Sequence, residues 1–431
     1  MILYNAMSKD ELKNEIENLE NRYNAFKEQN LKLDMTRGKP CSEQLDLSME
    51  ILDIPASELR RAADGTDTFN YGCLDGLPEA KTLFAEMLDV NTNEIIIGGN
   101  SSLNLMYDTI ARAMSFGVMG CTPWSKQEKI KFLCPSPGYD RHFAICELFG
   151  IEMIVVEMKQ DGPDMDVVEK LVSQDESIKG IWCVPKYSNP DGITYSGEVV
   201  DRFAALKPKA KDFRIFWDNA YCVHHLTNHP DQLKNIMTAC KQAGNENIVY
   251  EFASTSKISF PGAGVAVMAS SAENINSIKK TLTIQTIGHD KINQLRHVKY
   301  FKNLEGIKLH MEKQASILKP KFDIVLEILE EELGGKEIAS WNKPNGGYFI
   351  SLNTLDNCAK EIAKLAQEAG VALTKAGATY PYGKDPLDRN IRIAPTMPPV
   401  EELKKAIEIF AICIQLVSAK KGSMSIVGVE Q

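Results

Sequence analysis

The feature that most restricts the fold is a regular alternation of strand-like and helix-length segments between Glu94 and Ser270. Seven runs have the composition of buried strands: residues 94–97, 129–134, 151–158, 178–185, 213–217, 247–253 and 264–269. Parallel neighbours need long crossover connections, which helices usually provide, and these helices cover both faces of the sheet. We therefore expect an α/β fold whose large domain has a mostly parallel seven-stranded sheet between helices.

The flanking segments predict a second, smaller domain. Ser8 and Glu11 have the spacing of a capping box, and apolar residues follow at helical spacing, which predicts an N-terminal helix. After a helical region at 293–333, an α+β unit is expected with strands at 347–351, 371–374 and 390–393 and helices near 357–369 and 401–419. The predicted boundaries are an N-terminal helix and arm joining the small domain (1–48), a large domain (49–300), a small C-terminal domain (301–422) and a tail (423–431).

Composition narrows the choice of partners. The formal net charge of -9 disfavours nucleic acid and anionic membranes, because their phosphates repel an acidic surface. No apolar run approaches the length of about 18 residues that a membrane-spanning helix needs. The ten cysteines form no CxxC pair and no signal peptide is recognisable, so we expect a cytoplasmic protein without a metal site.

Polar residues suited to ligand binding stand at the ends of several strand-like runs. Asp218 closes one run, Asn189 lies in a Ser-Asn-Pro-Asp-Gly turn after another, and Lys257 follows a third among hydroxyl residues. Open α/β sheets bind ligands at the carboxyl ends of their strands. Each residue alone has a commoner structural explanation, since loop lysines are usually solvated and aspartate and asparagine are frequent in caps and turns. In this order and spacing, they predict one site.

The chemistry of these residues suits pyridoxal phosphate (PLP) and an amino acid. An amine such as Lys257 can hold the aldehyde of PLP, and a buried carboxylate such as Asp218 can keep its ring nitrogen protonated. The planar fork of Arg392 matches a substrate carboxylate. The glycine-rich turn at 98–102 precedes a helix-like segment, and helix N-termini bind phosphate, although such turns also occur without this role.

Together these motifs resemble the fold-type I PLP-dependent aminotransferases over residues from about 33 to 416. A closer resemblance is to the bacterial subgroup Ic of aspartate aminotransferases, which are relatives of the catalytic domain of MocR-type regulators. It is carried by the motif Thr36-Arg37-Gly38-Lys39-Pro40 and by the segments 285–288 and 293–297. The lysine, the aspartate–tyrosine pair and the asparagine turn are jointly specific for the family.

The resemblance implies the PLP-dependent transferase fold and a role for each matching residue. The catalytic residues would be Lys257, which carries the cofactor, Asp218 at the ring nitrogen and Tyr221 at the phenolic oxygen. Further cofactor-binding residues would be Asn189 at the phenolic oxygen, Tyr139 on the ring face, His142 behind Asp218, Asn100, Ser101, Ser102 and Ser254 at the phosphate, and Tyr71 from a neighbouring subunit. Substrate would be bound by Arg392, Gly38, Asn189 and Lys39, and no metal is implied.

The sequence departs from the wider family at two points. The arginine that normally follows the lysine by about eight residues and binds the phosphate is replaced here by Gly264-Val265-Ala266, so hydroxyls and backbone amides are expected to hold more of the phosphate. The arginine that binds the distal carboxylate of a dicarboxylic substrate is not identifiable from the motifs. The cationic candidates are Arg37, Lys39, Lys291 and Arg296.

By resemblance, the expected function is transfer of an amino group from an L-amino acid, with aspartate favoured, to a 2-oxo acid such as 2-oxoglutarate, in a ping-pong mechanism. A broader-specificity aminotransferase, a PLP-dependent lyase and a non-catalytic PLP-binding regulator are the alternatives. The expected partners are the amino-acid and 2-oxo-acid substrates and a second copy of the chain. In this homodimer, Tyr71 and the loop 286–288 would complete the partner's site.

Overall fold

The computed structural model describes residue 4 and residues 7–428, with side chains of the last helix up to residue 422. The described strands are β1 (Leu33–Met35), β2 (Ile95–Ile97), β3 (Lys131–Ser136), β4 (Glu152–Lys159), β5 (Gly162–Pro163), β6 (Ile178–Cys183), β7 (Arg214–Asp218), β8 (Val249–Ser254), β9 (Ala266–Ala269), β10 (Ala339–Trp341), β11 (Ile350–Thr354), β12 (Val371–Leu373) and β13 (Asn390–Ile393). The described α-helices are α1 (Lys9–Lys27), α2 (Ser42–Asp46), α3 (Pro78–Leu88), α4 (Ser102–Phe116), α5 (Asp140–Leu148), α6 (Met165–Gln174), α7 (Gly197–Ala204), α8 (Ile236–Gln242), α9 (Ala272–Gln285), α10 (Lys291–Phe301), α11 (Leu304–Leu333), α12 (Ala359–Glu368) and α13 (Val400–Gly428).

The large sheet has the order β2-β9-β8-β7-β6-β3-β4-β5. The neighbours from β8 through β7, β6 and β3 to β4 are parallel, whereas β9 is antiparallel to both β8 and β2. The predicted mostly parallel sheet between helices is therefore confirmed. The additional strand, β5, pairs antiparallel with β4 over two residues and is too short to be distinguished from a turn in the sequence.

The central strands are apolar on both faces because helices cover both. Every residue of β6, β7 and β8 is buried. In β7 the alternation of side chains sends Phe216 into the core on one face and Ile215 and Trp217 into the core on the other. The carboxyl ends of the same strands are left open, and they carry the polar residues.

The smaller unit differs from the prediction in its strand pairing. Its three-stranded antiparallel sheet has the order β10-β11-β13, in which β10 was not predicted and β11 begins three residues after the predicted start at 347. The strand at 371–373, β12, pairs instead in parallel with β1 of the N-terminal arm. Arg392 lies in β13 directly opposite Ser351 of β11, so the sheet delivers it to the cavity described below.

The N-terminal helix begins at the predicted capping box, where the Ser8 backbone N–H donates to Glu11 Oε2 at 2.8 Å. Helices α1, α11 and α13 share one apolar core with the small sheet. Helix α13 continues to Gly428, so part of the segment 423–431 predicted as a tail is helical, and residues 429–431 lie outside the described residues. Within the described chain, no helix combines the length and apolar character needed to cross a bilayer.

Candidate active site

Most of the predicted site residues meet in a cavity of about 650 Å³ at the carboxyl edge of the large sheet. The large domain contributes Tyr139, Asn189, Asp218, Tyr221, Ser101, Ser102, Ser254 and Lys257, and the arm and small domain contribute Gly38, Lys39 and Arg392. Chain segments far apart in sequence thus converge because parallel strands end at one edge and β13 faces that edge.

Asp218, the last residue of β7, is buried and has one satisfied and one unsatisfied oxygen. Its Oδ2 lies 3.0 Å from Nε2 of His142, whose ring stacks on Trp182 with 4.4 Å between ring centroids. Its Oδ1 is buried without any hydrogen-bond partner among the described residues. A buried acceptor without a donor costs free energy, and a hydrogen-bond donor on a bound group would remove this cost.

Lys257 follows β8 and points its amine toward aromatic rings. Nζ lies 5.1 Å from the ring centroid of Tyr221 and 5.8 Å from that of Tyr348. Desolvation in the cavity lowers the pKa of the Lys257 amine, and the nearby Asp218 carboxylate opposes this shift. A lowered pKa makes the neutral amine, the nucleophilic form, easier to reach.

Arg392 is held in place by residues of the large domain. Its Nη1 donates to Asp140 Oδ1 at 3.0 Å and to Asn189 Oδ1 at 3.1 Å, and its guanidinium lies over the ring of Phe349 at 4.9 Å. Its buried Nε lacks an acceptor within the described part of the chain. The guanidinium is therefore oriented and still has a free donor for a carboxylate.

Gly38 provides room beside Arg392. A Cβ at this position would lie 2.5 Å from Cζ of Phe349, the ring on which Arg392 stacks. No residue with a side chain fits there without moving that ring, so a small residue keeps the backbone close to the cavity.

Hydroxyl groups and the N-terminus of α4 form another part of the cavity. Ser101 is the N-cap of α4 and its Oγ accepts from the backbone N–H of Leu103 at 3.2 Å. Ser254 Oγ donates to Ser256 Oγ at 3.1 Å, and Ser256 Oγ donates to the Asn100 carbonyl at 3.1 Å. Free backbone N–H groups and hydroxyls at a helix N-terminus suit a phosphate.

Comparison with known proteins identifies the family. The model of the family described as "Aspartate amino-transferase" matches residues 7–425. This chain belongs to that family. It is 47% identical to an aspartate aminotransferase of Corynebacterium glutamicum, over 94% of this chain and 94% of that protein.

Solved structures place this transaminase in the same family. An aspartate transaminase of Corynebacterium glutamicum matches with a TM-score of 0.95 and 45% identity, covering 98% of this chain and 99% of that one. An α-aminoadipate aminotransferase of Thermus thermophilus, complexed with N-(5'-phosphopyridoxyl)-L-leucine, shares the fold with a TM-score of 0.72 and 19% identity, over 92% of this chain and 93% of that one. The expected membership in the fold-type I aminotransferases is confirmed, whereas subgroup Ic stays a prediction.

Three residues assigned from the family resemblance lie outside the cavity lining. The Asn100 side chain donates to the Pro261 carbonyl at 3.3 Å instead of facing the cavity. His142 lies behind Asp218, as the resemblance implied. Tyr71 is 82% exposed in the single chain and does not line the cavity, so a role at the phosphate depends on a second subunit.

The transaminase cavity contains cations that sequence reasoning missed. Of the four cations considered for the distal carboxylate, Arg37 and Lys39 line the cavity. Arg296 and Lys291 do not line it, and Lys291 Nζ donates instead to the Gly72 carbonyl. Two further cations, Arg141 and Lys375, line it. Arg141 follows the Tyr139-Asp140 pair directly, and this adjacency was the one signal in the sequence that pointed to it.

Proposed function

We propose that this enzyme transfers the amino group of L-aspartate to 2-oxoglutarate, using pyridoxal phosphate bound in the cavity around Asp218 and Lys257. The observation that carries the proposal is the buried, unpartnered Oδ1 of Asp218. A protonated pyridine nitrogen is the donor that such an oxygen lacks. His142, at 3.0 Å from Oδ2, keeps the carboxylate turned toward the cavity.

The rest of the cavity fits the same cofactor. Lys257 would hold the aldehyde carbon, Tyr221 and Asn189 would donate to the phenolic oxygen, and Tyr139 would cover the ring. Ser101, Ser102, Ser254 and the N-terminus of α4 would bind the phosphate, and Ser256 adds a hydroxyl to this set. This set supports phosphate binding where Gly264-Val265-Ala266 leaves no arginine.

The mechanism follows from the positions of the side chains. When bound, pyridoxal phosphate supplies an electron sink for the electron pair of the substrate Cα–H bond. Once the substrate amine has displaced it from the aldehyde carbon, Lys257 Nζ, with its lowered pKa, would take the Cα proton and later donate it to the carbon on the other side of the substrate nitrogen. Asp218 would keep a proton on the ring nitrogen, and Arg392 would hold the substrate α-carboxylate in the cavity that Lys257 also lines.

A dicarboxylic substrate is supported by the charge of the cavity. Arg37, Lys39, Arg141 and Lys375 line it in addition to Arg392. Two carboxylates line the same cavity, Asp140, which is engaged by Arg392, and Asp218.

Two of the arginines that line the cavity, Arg141 and Arg392, are candidates to bind the two carboxylates of such a substrate. Burial raises the pKa of the Tyr139 hydroxyl to about 12, and the charges of Arg141 and Arg392 oppose this rise, so both arginines lie near this side chain. We assign the α-carboxylate to Arg392 and the distal carboxylate to Arg141. The aspartate aminotransferase of Corynebacterium glutamicum, 47% identical, supports the same substrate.

The active unit is proposed to be a homodimer. Tyr71 and Ile287 are 82% and 61% exposed, and the loops that carry them are adjacent, because Gly288 lies against the Gly72 carbonyl. Large side chains exposed together commonly mark an interaction surface. A second copy would cover them, and Tyr71 would reach the partner's phosphate site.

The experiment is a half-reaction screen. The absorbance of the bound cofactor is followed as each of the twenty amino acids is added in turn, and oxaloacetate formation is then measured with L-aspartate and 2-oxoglutarate. We expect the largest kcat/KM for aspartate. A preference for alanine or aromatic amino acids would contradict the assigned substrate, and release of pyruvate and ammonia without an oxo acid would indicate a lyase.

Borohydride reduction tests the attachment of the cofactor independently of turnover. We expect a pyridoxyl label on Lys257 that is absent in Lys257→Ala and present in Lys375→Ala, a matched change of another lysine in the same cavity. A label on any other lysine of the unmodified enzyme would refute the central assignment.

A further inference from the structure

We propose that a second cavity, at the far end of α4 from the phosphate-binding serines, binds a small oxyanion such as inorganic phosphate or a short dicarboxylate. Its volume is about 260 Å³, and it is enclosed by the C-terminal half of α4, the loop 117–120, Tyr250 at the start of β8, and α9. It shares no lining residue with the active-site cavity. It lies toward the amino end of β8, opposite the catalytic edge.

The charged side chains that line this cavity are all positive, although the protein as a whole is acidic. It includes Arg112 and Lys280 and, among the residues described, no aspartate or glutamate. The Asp108 carboxylate acts on Arg112 from outside the lining, where its Oδ2 accepts from Gln285 Nε2 at 2.7 Å. The cavity itself is therefore positively charged.

Arg112 is oriented by its neighbours and keeps donors for a ligand. Its Nε donates to Thr281 Oγ1 at 2.9 Å, Nη2 to Gln285 Oε1 at 2.9 Å and Nη1 to the Asp108 carbonyl at 3.3 Å. A guanidinium has five N–H donors, so these three hydrogen bonds do not exhaust it. Burial lowers the pKa of Arg112, although an arginine stays charged at neutral pH.

A buried arginine lies directly behind the lining. Arg214 is 4% exposed, and its guanidinium carbon lies 5.6 Å from the ring centroid of Tyr250. It donates to the carbonyls of Lys211 and Phe213 and to Asn274 Oδ1, while its buried Nε has no partner within the described ranges. No described carboxylate lies within ion-pair distance of its guanidinium. A buried cation without a counter-ion is costly, and an anion in the cavity would offset this cost.

The two arginines approach the same side chain. Both lower the pKa of the Tyr250 phenol, against the rise that its burial causes. Tyr250 also lines the cavity, so the space beside it is where the fields of Arg112 and Arg214 add. A negatively charged ligand is most stable at that position.

The polar groups and the volume define the ligand class. Ser277 and Tyr250 add hydroxyl groups to the nitrogen donors of Arg112 and Lys280, which matches the several oxygen acceptors of an oxyanion. The volume of about 260 Å³ lies below the roughly 300–1,000 Å³ of pockets for drug-sized ligands. Phosphate or a four-carbon dicarboxylate fits this space, and a nucleotide does not.

The test is calorimetric titration of the PLP-loaded enzyme with inorganic phosphate at constant ionic strength. Loading with PLP keeps phosphate out of the active-site serines. We expect saturable binding that weakens about tenfold or more in Arg112→Gln, because a charge-assisted hydrogen-bond pair is lost. Lys280→Glu, an exposed change at the cavity mouth that leaves the core intact, should weaken it as well. Lys404→Gln, an exposed charge change on α13, should leave it unaltered.

Absence of saturable binding, or equal affinities in all four proteins, would overturn the proposal. Thermal unfolding of each variant shows whether Arg112→Gln retains the fold. If Arg112→Gln is unfolded, the phosphate affinity of Lys280→Glu decides the proposal. Titration of phosphate in the presence of succinate distinguishes the two candidate ligands, phosphate and a short dicarboxylate. Suppressed phosphate binding shows that the site also accepts carboxylates. Unaltered phosphate binding shows that the site selects phosphate. Either result supports an oxyanion site.

Discussion

His142 and Asp218 form a buried pair in which Nε2 and Oδ2 lie 3.0 Å apart, while Oδ1 of the same carboxylate has no partner among the described residues. Oδ2 is thus held in place by His142, whereas Oδ1 can still accept a hydrogen bond from a bound group. This asymmetry orients the carboxylate and leaves Oδ1 able to accept a hydrogen bond from a bound group, as the proposed electron sink would require.

Asp218→Asn should lower kcat/KM for transamination by roughly 100-fold or more, because the charge that stabilises the protonated ring is lost. His142→Asn should cost less, since His142 acts only through Asp218. The double variant should be no slower than Asp218→Asn alone, because the two residues form one unit. Steady-state kinetics of the three variants measure this, and additive losses would show that His142 acts independently.

Arg141→Gln should reduce kcat/KM for L-aspartate by about 10- to 100-fold, the effect of losing one charged hydrogen-bond pair of about 1.5–3 kcal/mol. The rate with L-alanine, which lacks a distal carboxylate, should stay within about twofold. Arg202→Gln on α7, whose guanidinium pairs with Asp166 and Glu169 outside the cavity, is the matched control. Equal losses for aspartate and alanine would assign Arg141 a structural role instead.

Mixing two impaired variants tests whether two subunits share each active site, as proposed. Lys257→Ala lacks the proposed catalytic amine, and Tyr71→Ala should weaken cofactor retention and activity. In a mixed dimer, one of the two sites would combine the intact Lys257 of one chain with the intact Tyr71 of the other. We therefore expect activity to appear when the two proteins are unfolded together and refolded, measured by oxaloacetate formation. If Tyr71 served its own chain, the mixture would be no more active than Tyr71→Ala alone.

The stability of the fold should depend on a buried acid in β8. Burial raises the pKa of the Glu251 carboxyl from 4.5 to about 7, and Asn219 Nδ2 donates to its Oε1 at 2.8 Å. Between these two pH values the unfolded chain has lost the proton that the folded chain keeps, so stability falls as pH rises. The total loss is on the order of 3 kcal/mol.

Glu251→Gln removes this titration. Between pH 4.5 and about 7, the free energy of unfolding of the unmodified enzyme should fall relative to that of the variant, because only the unmodified enzyme titrates at this position. Above that range the difference between the two proteins should stay constant. Urea unfolding across this range measures it. Glu246→Gln, a nearby exposed change, is the control, and parallel profiles for Glu251→Gln and the unmodified enzyme would contradict the assignment.

The local elements of the protein were predictable from short stretches of sequence. The capping box at Ser8 and Glu11, the central strand ending at Asp218 and the strand at 390–393 were each placed correctly. These elements depend on backbone capping, on side-chain alternation and on burial, which act over a few residues. The set of Lys257, Asp218, Asn189, Tyr221 and Arg392 was predicted to share one site, and the structure brings all of them to one cavity.

The tertiary structure alone decided what depends on distant pairs. The pairing of β1 with β12, the contact of Arg392 with Asp140, and the place of Arg141 in the cavity each join residues whose proximity no local pattern encodes. The unsatisfied oxygen of Asp218 and the unpaired Nε of Arg214 likewise became visible only when every neighbour was in place. Sequence determines which chemical groups are available and which segments form strands or helices, whereas packing of the whole chain decides which groups remain without partners and are free to bind ligands.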